Sequence, residues 1–131
     1  MTVTVRTLPP RAASTGSTGW ITACPADRLT PERGVAVLLP DGGQVALFRT
    51  HDGALHAVGN IDPFSGAAVM SRGIVGDRGG EPTVASPMLK QVFSLRTGAC
   101  LDDPAVRLPT YAARLSDGAA EVRVEADETS A

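Results

Sequence analysis

The chain has 131 residues, which suits one domain with one core, and 43% of them are hydrophobic against 20% charged. A net charge of −2 with no basic block excludes an electrostatic nucleic-acid footprint and leaves no cationic funnel for acidic substrates. No apolar run approaches the roughly 18–20 residues that cross a bilayer, and the polar N-terminus, broken by Pro9 and Pro10, lacks the apolar core of a secretory signal, so cytoplasmic residence is expected.

In chain order, residues 1–18 are rich in Thr, Ser, Pro and small residues without periodicity, and are expected to be a disordered tail. Order is expected from Trp20–Cys24, followed by a proline-bounded connector, Pro25–Gly34, with one helical turn. Val35–Leu39, Gln44–Arg49 and Leu55–Val58 are strand-like runs separated by Asp41–Gly43 and His51–Gly53, residues that tolerate the positive φ of tight turns. They predict a three-stranded meander. Ile74–Val75 and Thr83–Ala85 predict a short hairpin around a glycine-rich turn, and Gln91–Leu95 a further strand. Tyr111–Leu115 and Ala120–Ala126 predict a closing hairpin in which Val122 and Val124 alternate with charged residues. Residues 127–131 are expected to fray. No long amphipathic helix is predicted, so the fold class is all-β: an antiparallel sandwich or barrel with an inserted hairpin.

Two loops flank that hairpin. Asp62-Pro63-Phe64-Ser65-Gly66 and Ser86-Pro87-Met88-Leu89-Lys90, the latter leading into Phe93-x-x-x-Thr97-Gly98, resemble the paired loops of a Rieske domain. Such loops hold a [2Fe–2S] cluster through two Cys and two His, a pair from each loop. Pro63, Gly66, Pro87, Phe93, Thr97 and Gly98 match the pattern, and the intervening residues 65–85 have the usual length. The four ligand positions carry Asp62, Phe64, Ser86 and Leu89 instead. Phe and Leu have no lone pair to donate, and two hard oxygen groups do not replace the set, so no cluster is expected on this chain.

The segments "SRGIVGD" (Ser71–Asp77) and "TGACLDDP" (Thr97–Pro104), with the degenerate loops, narrow the resemblance to the small subunit of assimilatory NAD(P)H-dependent nitrite reductase, over roughly Trp20 to Val124. The resemblance implies a Rieske-like domain over residues 19–126 and a large-subunit partner. That partner would carry FAD, siroheme and a [4Fe–4S] cluster and reduce nitrite to ammonium with electrons from a nicotinamide cofactor. This chain has no glycine-rich dinucleotide fingerprint and too few cysteines for such chemistry, so it is read as a non-catalytic accessory subunit. A Rieske-type ferredoxin-like electron carrier and a free-standing Rieske-like interaction module are the alternatives.

Candidate interface residues are Phe64, Leu89, Lys90, Arg72 and Asp77. Phe64 and Leu89, at the histidine positions, either fill the vacated cluster space or present an apolar tip to a partner. Asp62 and Ser86, at the cysteine positions, suit short side-chain bonds to neighbouring backbone N–H groups. Lys90, where the pattern has glycine, is either solvated or paired with a partner carboxylate. Arg72 and Asp77 either bridge the hairpin or contact the partner. Asp102 and Asp103 read as a turn before Pro104. His51 and His56 lack a third metal ligand, and Cys24 and Cys100 read as reduced, buried thiols.

Overall fold

The computed structural model describes residues 4–5 and 19–124. Among the described residues, eleven strands form three sheets. The strands are β1 (Thr4–Val5), β2 (Trp20–Pro25), β3 (Gly34–Leu38), β4 (Gln44–Arg49), β5 (Leu55–Gly59), β6 (Ile74–Arg78), β7 (Glu81–Ala85), β8 (Val92–Ser94), β9 (Thr110–Tyr111), β10 (Ala113–Ser116) and β11 (Ala119–Arg123). The sheet orders are β1-β3-β4-β5-β9, β10-β11-β2 and β6-β7-β8. Two short 3₁₀ turns, Ala26–Arg28 and Met70–Arg72, are the helical elements among the described residues.

Strand β4 explains the layering. Successive side chains on a strand point to opposite faces, and here both faces are covered. Val45 and Leu47 join Ile21, Val35, Val37 and Val122 in one buried cluster. Ala46 and Phe48 join Val58, Met70, Val84, Phe93 and Leu108 in another. The five-stranded sheet is therefore the middle layer, with β10-β11-β2 on one side and the β6-β7-β8 insertion on the other. Cys24 and Cys100 are free and lie in different clusters. Burial pushes the Cys24 thiol above its ordinary pKa, with Arg28 opposing and Asp27 adding to the shift.

The β3–β4–β5 meander agrees with the pattern of the sequence, with β4 at the predicted bounds. Two expectations are corrected. Thr4–Val5, inside the segment expected to be a disordered tail, pairs in parallel with β3 at Ala36 and Val37. The open edge of β3 offers unpaired backbone groups, and β-branched residues suit it. The remainder of residues 1–18, and residues 125–131 with the frayed terminus expected there, lie outside the described residues. The run read as one strand from Tyr111 is split: β9 pairs with β5, then the chain changes sheets and β10 pairs with β11. A strand crossing between two layers must turn to follow each core, and a local pattern of apolar residues does not reveal the crossing.

Phe93 is completely buried at the junction of the insertion and the middle sheet. Phe93→Ala is expected to cost about 3–5 kcal/mol in chemical denaturation, the sum of lost transfer energy and an unfilled cavity. A loss below about 1 kcal/mol would show that the two layers do not depend on this ring.

Candidate functional site

The two degenerate loops adopt one backbone design twice. In the first, Asp62 N–H donates to the Ala67 carbonyl at 2.8 Å and Gly66 N–H to the Asp62 carbonyl at 2.7 Å. In the second, Ser86 N–H donates to the Gln91 carbonyl at 2.9 Å and Lys90 N–H to the Ser86 carbonyl at 3.0 Å. The leading side chain of each loop accepts from the backbone two residues on: Phe64 N–H to Asp62 Oδ1 at 2.9 Å, and Met88 N–H to Ser86 Oγ at 3.2 Å. The residue between is proline in both loops, which has no N–H to satisfy and a φ suited to the turn. Both loops close in the left-handed region, at Gly66 with φ +78° and at Lys90 with φ +67°. Lys90 therefore takes the glycine conformation at a cost that an L-residue pays and glycine does not.

The loops are joined to each other. Ser86 Oγ donates to Asp62 Oδ2 at 2.6 Å, and Ser65 Oγ donates to the same oxygen at 3.0 Å. Asp62 and Ser86 are both 0% exposed. Burial alone would push the Asp62 carboxyl up. The hydroxyl of Ser86, the N–H of Phe64 and the hydroxyl of Ser65 outweigh it and hold the group below its ordinary value. Asp62 is thus a buried carboxylate solvated by its own loops.

The ring of Phe64 turns inward against Phe93, with centroids 6.1 Å apart and planes tilted by 48°. Leu89 and its neighbour Met88 face outward, each 53% exposed, and Ile61 beside the first loop is 45% exposed. The two histidine positions thus have different fates: one contributes to the core and the other to the surface. Lys90 is exposed at the same tip. Arg72, exposed, ends the second 3₁₀ turn, and Asp77 lies in β6, where its carboxylate accepts from Gly80 N–H at 3.2 Å.

Neither remaining polar constellation forms a centre. Asp102 Oδ2 accepts from Val92 N–H at 3.0 Å, whereas Asp103 Oδ1 accepts from Ala105 N–H at 3.3 Å in the turn around Pro104. His51 is exposed, with Nδ1 3.6 Å from Glu32 Oε2. His56 is half-buried, and burial holds its imidazole below the ordinary value, partly opposed by Asp52. Among the described residues no group of three or more His, Cys, Asp or Glu is placed to hold a metal. Asn60 is a structural residue that the motif reading passed over. Fully enclosed before the first loop, it accepts from Ser71 N–H at 2.7 Å and donates to Gln44 Oε1 at 3.0 Å, tying the loop base to β4 and the Met70–Arg72 turn.

The chemistry of the four positions does not fit a [2Fe–2S] cluster. In a Rieske centre the two cysteines share one iron and the two histidines the other. Two ligand atoms on one tetrahedral metal stand roughly 3.3–3.8 Å apart, given metal–ligand bonds of about 2.0–2.3 Å. The oxygens of Asp62 and Ser86 are bonded directly to each other at 2.6 Å. The other pair, Phe64 and Leu89, offers carbon only.

Asp62→Asn is expected to remove part of the acid sensitivity of the fold. The carboxylate's contribution is fully present above the ordinary value of 3.8 and is lost as pH falls through its lowered native value. Urea titrations at stepped pH should show a flatter loss of stability below about pH 4 in the variant than in the parent. Asp62→Ala, which leaves the Ser86 hydroxyl and the Phe64 N–H without their acceptor, should cost about 2–4 kcal/mol at neutral pH. Identical acid limbs in parent and Asp62→Asn would remove Asp62 from the account. Gly66→Ala tests the turn: with open space around the added methyl, its cost of about 1–2 kcal/mol would be purely conformational.

Comparison with known proteins gives this loop pair its context. The Rieske-like [2Fe-2S] domain family matches residues 19–123. The nitrite reductase (NADH) small subunit of Escherichia coli K12 is 43% identical over 105 residues, covering 79% of this chain and 96% of that protein. A crystal structure of a Mycobacterium tuberculosis protein, provisionally described as an NADH-dependent nitrite reductase small subunit, is 62% identical. It superposes with a TM-score of 0.77 over 84% of this chain and 96% of that one. A Klebsiella oxytoca nitrite reductase [NAD(P)H] large subunit contains a stretch 36% identical over 99 residues, which is 76% of this chain but 10% of that protein. With its Rieske-like layers, its paired loops and relatives matched over nearly their whole length, the chain belongs to the family of nitrite reductase (NADH) small subunits.

Proposed function

We propose that this chain is the accessory, non-catalytic subunit of an NAD(P)H-dependent nitrite reductase, binds no Rieske cluster, and acts by docking on the large subunit. In this reading the large subunit carries FAD, siroheme and a [4Fe–4S] cluster and reduces nitrite to ammonium in the cytoplasm. The observation that carries it is the Asp62–Ser86 bond: the loops are tied by a hydroxyl donating to a carboxylate, at the position where thiolates would hold iron. The Klebsiella protein supports the choice of partner, since a related domain there forms part of a chain named as a large subunit. Fusing two modules raises their effective concentration without new contacts, and it serves a function when they act together.

The tip suits docking. Met88 and Leu89 leave apolar surface in water on a rigid, internally bonded loop, so little order is lost on binding. Lys90 provides charge at the tip, Arg72 and Asp77 provide it along the neighbouring β6 stretch, and Phe64 supports the first loop from beneath through Phe93.

Co-expression with the cognate large subunit tests this reading. A stable complex is expected, with nitrite reduction by NADH that falls when this chain is omitted. Leu89→Asp should weaken the complex by at least roughly 10-fold while leaving the thermal midpoint of the isolated chain nearly unchanged. A purified chain without absorption between about 400 and 600 nm is expected; iron near two atoms per chain with such absorption would favour the electron-carrier alternative. Chains that never associate would overturn the docking reading.

A further inference from the structure

Strand β6 closes one edge of the β6-β7-β8 sheet. Its turn to β7, Gly79–Gly80, has φ of +63° and +92°, the type I′ geometry. In such a hairpin the flanking pair, Arg78 and Glu81, exchanges both backbone bonds, and the pattern then alternates. Gly76 and Ile74 therefore bond toward β7, while Val75 and Asp77 direct their N–H and C=O groups outward. Pro82 stands opposite Asp77 and has no N–H, which agrees with that phase. Among the described residues no backbone group meets the outward side of Val75 or Asp77. Natural edges are blunted by proline, charged side chains or a bulge; β6 has no proline and no bulge, and its charges, Asp77 and Arg78, lie at the end next to the turn.

Space lies along this edge. One cavity, of about 510 Å³, is lined by Arg33, Gly34, Arg72, Gly73, Ile74 and Val75. A second, of about 320 Å³, continues past Gly76 and Asp77 to Asp52, His56 and Arg96. Glu32 lines both, and it sits at φ +70°, a strained conformation for a residue with a side chain. Its N–H donates to the Arg49 carbonyl at 2.6 Å and its carboxylate accepts from His51 N–H at 3.2 Å, so the bank opposite β6 is held rigid. One end of the trench is lined by Arg33 and Arg72, with Glu32 beside them. At the other end the carboxylates of Asp52 and Asp77 outnumber Arg96. Ile74, 63% exposed, stands between them and pairs with Ala85, immediately before the second loop.

We propose that β6 is a strand-addition site, and that its occupant is an extended segment of the nitrite reductase large subunit. The segment would bond to the backbone of Val75 and Asp77, place an acidic side chain by Arg33 and Arg72, and place a basic one by Asp52 and Asp77. The five residues of β6 span roughly 17 Å, matching a guest of about five residues. This inference rests on the docking reading above and extends the interface from the loop tip along the "SRGIVGD" stretch, for which the loop bonding gives no use.

Amide hydrogen exchange on the chain, free and in complex with the large subunit, decides the matter. Protection of the Val75 and Asp77 amides on complex formation is expected. Asp77→Pro removes one outward donor and the side-chain bond to Gly80 N–H but no ladder bond to β7, and should weaken the complex at least roughly 10-fold. Asp77→Asn keeps the donor and loses only the charge, so it should weaken the complex less than Asp77→Pro does. Should Asp77→Pro fail to fold, the exchange measurement on the parent chain stands by itself. A complex that forms with Val75 and Asp77 exchanging as in the free chain overturns edge pairing and leaves docking intact. Absence of any complex overturns both. Protection that appears in the free chain as its concentration rises would identify a second copy as the occupant and overturn the choice of the large subunit.

Discussion

A carboxylate and a hydroxyl, both shut off from water and 2.6 Å apart, hold together the two loops on either side of the β6–β7 hairpin. Removing a carboxylate from water costs several kcal/mol, and the cost is met only when its oxygens are fully occupied by good donors. Asp62 meets that condition through Ser86, Ser65 and the N–H of Phe64. The same bonds fix the loop backbones, so the apolar tip and the base of β6 are presented in one arrangement. A metal centre would provide a comparable cross-link through stronger, coordinate bonds. Here the two oxygens meet directly at 2.6 Å, closer than two ligand atoms on one metal would stand.

The differing placements of Phe64 and Leu89 follow from what lies beneath each loop. Under the first loop is Phe93, fully buried and able to receive an aromatic ring at an edge-tilted angle. The second loop is the connection between β7 and β8, and its Leu89 faces solvent. A small domain that leaves such residues in water forgoes their burial, about 1.5–3 kcal/mol for a side chain such as Leu. That is tolerable because both faces of β4 are already covered, which supplies two cores from one middle sheet.

Much of this was legible along the chain. Turn residues at Asp41–Gly43 and His51–Gly53 and the continuous apolar run of β4 mark the meander, because turn chemistry and burial on both faces are local properties. Pro63, Gly66, Pro87 and Thr97–Gly98 mark the loops, because each records a backbone conformation that the residue type suits. The resemblance to nitrite reductase small subunits rested on these residues and on Ser71–Asp77. The parallel addition of β1 to β3, the change of sheet between β9 and β10, and the tie that Asn60 makes from Gln44 to Ser71 were not legible. Each depends on which distant segment happens to lie alongside.

The sequence by itself determined the all-β class, the two loop frames and the chemical character of the four replaced ligands, because turn conformation, strand periodicity and donor chemistry belong to individual residues and their near neighbours. Tertiary structure alone decided that Asp62 and Ser86 bond to each other, that Phe64 turns inward while Leu89 turns out, and that β6, among the described residues, lies at an unpaired sheet edge. Partners 24 residues apart meet, and a strand edge is left open, only when the three layers close around both faces of β4.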